Sequence, residues 1–163
     1  MSKGEIIPEH AVRFVREFSA ARARVWQFLT DSTLLPEWYG DGRIEPREGG
    51  AVSLMGGHIR GVVTGWRPEN FLAYTWSVFH PGETVSQWPI SYLELALDEA
   101  AGKTKLTLTH RPIPTAMQAL TMIGWHTMLD MMEAGLKGEF PPRTEIMPRS
   151  ATLYGVDLNA LKR

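Results

Sequence analysis

The chain predicts an α+β domain: a curved antiparallel sheet of about seven strands wrapped around one long C-terminal helix, with two short helices after the first strand. Three observations lead there. Between residues 43 and 110, short apolar runs are cut by breakers of hairpin length. Helical spacing occurs only just after the first apolar run and again from Thr115 to Lys137. A run of strands followed by one long helix is an α+β order, because a single helix covers one sheet face and leaves the other to water.

In chain order, residues 1–9 read as a short polar lead. Val12, Phe14 and Phe18 alternate as a first strand with a slip at Val15. Ala20 to Leu29 then switch to helical spacing, with Val25, Trp26 and Leu29 on one face and Ser19 as the expected N-cap. Trp26 is expected to point into the core. Thr33 to Trp38 form the second short helix, ended by Gly40 and Gly42. The strands expected next are Arg43–Glu45, Ala51–Met55, Ile59–Trp66, Phe71–Phe79, Trp88–Leu97 and Lys103–His110. Their inward sets include Leu72, Tyr74, Trp76 and Val78, then Leu93, Leu95 and Leu97, then Leu106, Leu108 and His110. The long helix starts near Pro114 and stops at Gly138, where a left-handed cap is expected before Pro141-Pro142. Gly124 and Gly135 each weaken it by about 1 kcal/mol relative to alanine, so an apolar face must be buried in compensation.

Residues 1–139 are read as one domain. Residues 140–163 are a C-terminal extension rather than an independent domain, Pro-rich and then helical from Asp157 to Lys162. It is expected to be dispensable for folding of the body, or else to dock on it or cross to a neighbour as a homodimer contact.

Composition excludes several functions. Seventeen basic residues offset eighteen acidic ones and are scattered, so nucleic acid is not expected as a partner. No cysteine is present, which removes thiolate metal sites and cysteine nucleophiles and fits a reducing cytoplasm. Residues 1–10 carry no apolar signal-peptide core, and no apolar stretch is long enough for a membrane span. There is no Gly-x-Ser-x-Gly elbow and no Gly-x-Gly-x-x-Gly turn between strand and helix, so neither a serine hydrolase nor a dinucleotide cofactor is indicated. His58, His80 and His126 are read as having no ligand-type neighbour at metal-binding spacing, so neither metal nor other cofactor is expected.

Certain segments carry a resemblance in their order and spacing. They are Phe18-Ser19-Ala20, Val25-Trp26, Leu29-Thr30-Asp31, Trp38-Tyr39-Gly40, Glu48-Gly49-Gly50 and Gly61-Val62-Val63. Phe71 to Trp76, Gly102 to Leu106, Leu108-Thr109-His110 and Gly124-Trp125 follow. Over roughly residues 11–138 the chain resembles the activator-of-heat-shock-ATPase-homologue-like (AHSA-type) branch of the START-like, SRPBCC or birch-pollen-allergen-fold superfamily. The resemblance implies the helix-grip fold, the same architecture that the alternation predicts. It carries over little chemistry.

A cavity between sheet and long helix is the expected site. Trp38, Tyr39, Tyr74, Trp76 and Trp125 should converge there, since ligand pockets are mostly apolar and aromatic with few polar groups. Five of the eight methionines lie on the long helix; Met128 and Met132 are taken as adaptable wall residues. His110 ends an inward alternation and should sit at the pocket mouth, with Asp31 and Glu37 as candidate orienting acids. The leading function is binding of a small apolar or amphipathic molecule. The alternatives are a START-like cyclase, aromatase or hydrolase acting in the same space, or a co-chaperone-like interaction module.

Overall fold

The computed structural model describes residues 3–7, 10–80, 82–86 and 89–157. The strands are β1 (Glu5–Ile7), β2 (Ala11–Phe18), β3 (Arg43–Ile44), β4 (Ala51–Leu54), β5 (Ile59–Arg67), β6 (Phe71–Val78), β7 (Ser91–Ala100) and β8 (Lys103–Arg111). They form one sheet in the order β1-β2-β8-β7-β6-β5-β4-β3, each pair antiparallel. Consecutive hairpins account for β3 to β8. The join of β2 to β8 brings the two ends of the sheet sequence together. The helices are α1 (Arg22–Thr30), α2 (Gln118–Leu136) and α3 (Arg143–Leu153), with single 3-10 turns at Leu35–Glu37, Met55–Gly57 and Thr115–Met117.

The α+β helix-grip architecture is therefore present, with one strand more than the alternation predicted. The extra strand is β1, which lies in the expected polar lead and pairs Ile6 with Val12. The Trp88 end of the sixth predicted strand, and the predicted helix after Asp157, lie outside the described residues. Ser19 does not cap α1: the capping position is Ala21, whose carbonyl accepts from Arg24 and Val25 without help from a side chain. Gly138 takes the predicted left-handed conformation at φ +80°, and Glu139 N–H closes back on the Ala134 carbonyl.

Strand alternation sets the core. Leu93, Leu95 and Leu97 of β7 and Leu106 and Leu108 of β8 are buried together with Val12, Phe14 and Phe18 of β2. Trp26 joins them, its ring centroid 5.1 Å from that of Trp66 in an edge-on arrangement. The sheet bends where β5 shifts register between Val63 and Gly65, as a bulge increases local twist. Gly61 is obligatory beside that bend: a Cβ there would lie 1.8 Å from the Thr75 carbonyl oxygen.

The slip expected at Val15 is absent. Alternation is unbroken, with Val15 outward and Arg16 inward and only 5 % exposed. A charge occupies a core position. Its Nη1 lies 2.5 Å from Asp130 Oδ1 and 4.0 Å from Glu133 Oε2, both on α2. His126 Nε2 faces the other Asp130 oxygen at 3.6 Å, so His126 does have a ligand-type neighbour four residues on. Tyr154 completes the group. Its hydroxyl accepts from Gly4 N–H at 2.8 Å and shares a second hydrogen bond with His126 Nδ1 at 2.9 Å.

Helix α3 lies inside the segment expected to be dispensable. It packs along α2 and buries Ile146, Ser150 and Ala151. Thr127 Oγ1 donates to Ser150 Oγ at 3.0 Å. Arg143 Nη2 reaches back to the carbonyls of Trp38 and Tyr39 at 3.3 and 3.0 Å. The extension thus docks on the body. Pro148 sits inside α3, where the missing N–H disfavours a helix, and this is why the segment does not read as helical.

Candidate functional site

The site is built where three strands and α2 meet. Register places Trp76 opposite Ser91, and His110 opposite Leu93 two residues further along β7. The period-2 rule therefore sends Trp76, Ser91 and His110 to the face covered by α2. Trp125 descends from the helix onto them. Its ring centroid is 5.3 Å from Trp76 and 5.9 Å from His110, and Trp76 lies 4.8 Å from His110.

The hydrogen bonds determine the state of His110. Trp125 Nε1–H can only donate, and it donates to His110 Nδ1 at 3.1 Å. The single proton of the imidazole is therefore on Nε2, which gives it to Ser91 Oγ at 2.7 Å. Ser91 turns its own proton to the Trp76 carbonyl at 3.4 Å. Burial lowers the His110 pKa to about 3, consistent with a neutral ring. Neither Asp31 nor Glu37 orients it, contrary to expectation. Asp31 is exposed and bonds Thr33 Oγ1 and N–H at 2.7 and 2.8 Å, which holds its carboxyl below the usual range.

Beside this relay is a cavity of about 230 Å³, walled by Trp76, Trp125, Met55, Met117, Met128 and Ile59, with Gly124 as its gap in α2. A smaller lobe of about 60 Å³ continues past Ser91 and His110 to Pro89, Pro112 and Pro114. Both lobes share Trp76, Val78, His110, Met117 and Thr121, so they lie side by side. No Cβ contact within 4 Å would meet a side chain added at Gly124, which marks the opening.

Of the residues singled out in the sequence, Trp76, His110, Trp125 and Met128 line this space. Tyr39 and Tyr74 stand behind it, fully buried, with their hydroxyls 3.2 Å apart. Tyr39 touches the wall from behind, 6.0 Å from Trp76 and 5.8 Å from Trp125. Burial raises the pKa of both phenols, so both stay protonated. Trp38 is held in the core by its indole N–H on the Phe28 carbonyl at 2.7 Å, and Met132 is buried on α2 without lining either lobe. Sequence reasoning missed Ser91, Met55, His58, Met117 and Thr121. Met117 was visible as one of the helix methionines; Ser91 carried no signal, because its role depends on a neighbouring strand.

Among the described residues, no group of three or more His, Asp or Glu side chains is placed to hold a metal ion. No helix among them is long and apolar enough to cross a membrane.

Comparison with known proteins agrees with this architecture. CalU16 from Micromonospora echinospora superposes with a TM-score of 0.71 at 22% identity, covering 94% of this chain and 92% of its own. The BPP1335 protein of Bordetella parapertussis gives 0.70 at 20% identity, covering 95% and 90%. Protein MLL2253 of Mesorhizobium loti gives 0.67 at 21%, covering 78% and 96%. At such identities the likeness is one of fold. No curated protein matches the sequence. The family model described as activator of Hsp90 ATPase homolog 1-like protein matches residues 19–137, from the end of β2 to the end of α2, and the chain belongs to that family.

Proposed function

We propose that this protein binds a small apolar or amphipathic molecule in the space between the sheet and α2. The observation that carries the reading is the cavity of about 230 Å³ walled by two tryptophans and three methionines. Burying apolar ligand surface there would contribute roughly 25 cal/mol per Å². Methionine walls adjust to ligands of differing outline at low strain.

The state of His110 favours binding over catalysis in this space. A general acid or base must be free to exchange its proton with a substrate. Both nitrogens of His110 are engaged by Trp125 and Ser91, and the ring is neutral. These contacts support a structural role: the imidazole fixes the wall.

Two measurements test the reading. Mass spectrometry of natively purified protein should detect a co-purifying small molecule. Flat apolar probes should raise the melting temperature and quench tryptophan fluorescence, and Met128→Glu should abolish both effects, since a carboxylate without a partner is costly in an apolar wall. Absence of any probe effect on the unsubstituted protein would overturn the proposal and leave the interaction-module alternative in its place.

A further inference from the structure

We propose that the cavity selects neutral hydrogen-bond donors of one or two aromatic rings, that is, hydroxyaromatics, and rejects carboxylates and other anions. The inference deepens the binding reading above and rests on it. It comes from where the hydroxyl and imidazole groups lining the two lobes place their protons.

Thr121 donates its hydroxyl proton to the Met117 carbonyl at 2.8 Å. Ser91 receives the Nε2 proton of His110 and directs its own to the Trp76 carbonyl. His58 Nδ1 lies 2.7 Å from the Phe79 carbonyl, which can only accept, so that nitrogen carries a proton, and in this singly protonated tautomer the lone pair is on Nε2. The smaller lobe is bordered by Pro89, Pro112 and Pro114, which have no backbone N–H to offer. No lysine or arginine is among the described residues lining either lobe. Among the described lining residues the wall therefore carries no lysine or arginine and is rich in lone pairs, with the Trp76 indole N–H as its remaining side-chain donor.

An anion entering such a space would exchange its hydration for acceptors of its own sign, which is costly. A neutral hydroxyl finds the opposite: each remaining lone pair on Thr121, Ser91 and His58 is an acceptor for it. Size points to the ring count. The main lobe of about 230 Å³ exceeds the ~150 Å³ that houses a benzene in an apolar protein cavity, and so admits a bicyclic ring. The tilted indoles of Trp76 and Trp125 offer aromatic edges and faces for it.

The test compares four probes of one shape by calorimetry near neutral pH: naphthol, naphthalene, methoxynaphthalene and naphthoate. Naphthol should bind about tenfold more tightly than its methyl ether, the upper end for one net hydrogen bond, and naphthoate more weakly than naphthalene. At least one of Thr121→Val, Ser91→Ala and His58→Leu should remove naphthol's advantage, in a variant whose thermal unfolding remains cooperative. Equal affinity for naphthol and its methyl ether would overturn the selectivity while leaving the binding reading intact. Tightest binding by naphthoate would also overturn it, and would point to Arg60, which lies next to His58 in an adjoining pocket. If none of the neutral probes binds, the selectivity and the binding reading fall together.

Discussion

His110 and His126 are both only 2 % exposed, yet they are held in opposite ways. His110 sits among neutral groups, with an indole donor on one side and a serine on the other. Burial acts on it without opposition and takes its pKa to about 3. His126 sits among charges. Burial lowers its pKa too, but Asp130 pulls in the other direction while Arg16 adds to the lowering. The first network borders an open space; the second is closed over by α3 through Tyr154 and Ser150. Equal exposure thus conceals two different functions. A neutral relay beside a cavity can shape a wall without demanding a counter-charge. A buried arginine requires one, and Asp130, Glu133 and the docked helix are arranged around that requirement.

The largest test of this contrast falls on the charged side. Asp130→Ala leaves Arg16 buried, with Glu133 at 4.0 Å as its remaining ion partner, and should cost about 3–5 kcal/mol in urea unfolding. The double change Arg16→Met with Asp130→Leu should recover most of that loss. A cost below about 1 kcal/mol for the single variant would mean that the pair behaves as an exposed one.

Removal of α3 comes next. A chain ending at Pro142 uncovers the site of Ile146 and deletes Tyr154 from the His126 group. Stability should fall by at least ~2 kcal/mol, the order expected for one fully buried large aliphatic side chain. An unchanged denaturation midpoint would bear out the expectation that the extension is dispensable.

The neutral side is tested by pH. In the unfolded chain His110 takes a proton near its ordinary pKa of 6.5, whereas the folded ring resists protonation down to about 3. The folded pKa is depressed, so His110 withdraws stability as pH falls through 6.5 and continues to do so until about 3. Between pH 7 and 5 the unsubstituted protein should therefore lose about 2 kcal/mol more than His110→Gln does, because glutamine can keep both hydrogen bonds without titrating. Parallel pH profiles for the two proteins would show that His110 is not held neutral.

The smallest effects belong to two glycines of α2. Gly124 faces the cavity, and an added Cβ meets nothing within 4 Å; Gly124→Ala should stabilise the helix by about 0.5–1 kcal/mol. Gly135 has the Phe28 ring 2.8 Å from where its Cβ would lie, so Gly135→Ala should gain nothing or lose stability. Thermal melts of the two variants moving in the same direction would contradict the difference between open and closed faces.

Much of the architecture could be read before any contact was known. Alternation in β7 and β8 named the inward leucines, the glycine and proline breakers marked the hairpins, and the long helix ended at the glycine expected to end it. Four of the eight proposed wall residues line the cavity, because period-2 register and helical spacing alone aim Trp76, His110, Trp125 and Met128 inward. The same rule failed at Val15 because it assigns inward positions to apolar residues, and Arg16 occupies one. It also missed α3, where Pro148 opposes a helix locally and docking on α2 supplies the compensation.

The sequence by itself determined which residues belong to strands and helices and which faces of them are apolar. These properties depend on side chains two to four residues apart and on backbone preferences that need no partner. The tertiary structure decided the partnerships: Trp125 with His110 across 15 residues, Ser91 with His110 across 19, Arg16 with Asp130 across 114 and Gly4 with Tyr154 across 150. Each of these replaces water on a polar group, and its value depends on which other polar group is present once both are buried. Local pattern carries no record of these distant choices, so the neutral network of His110 and the charged one of His126 separate only when the chain has closed around them.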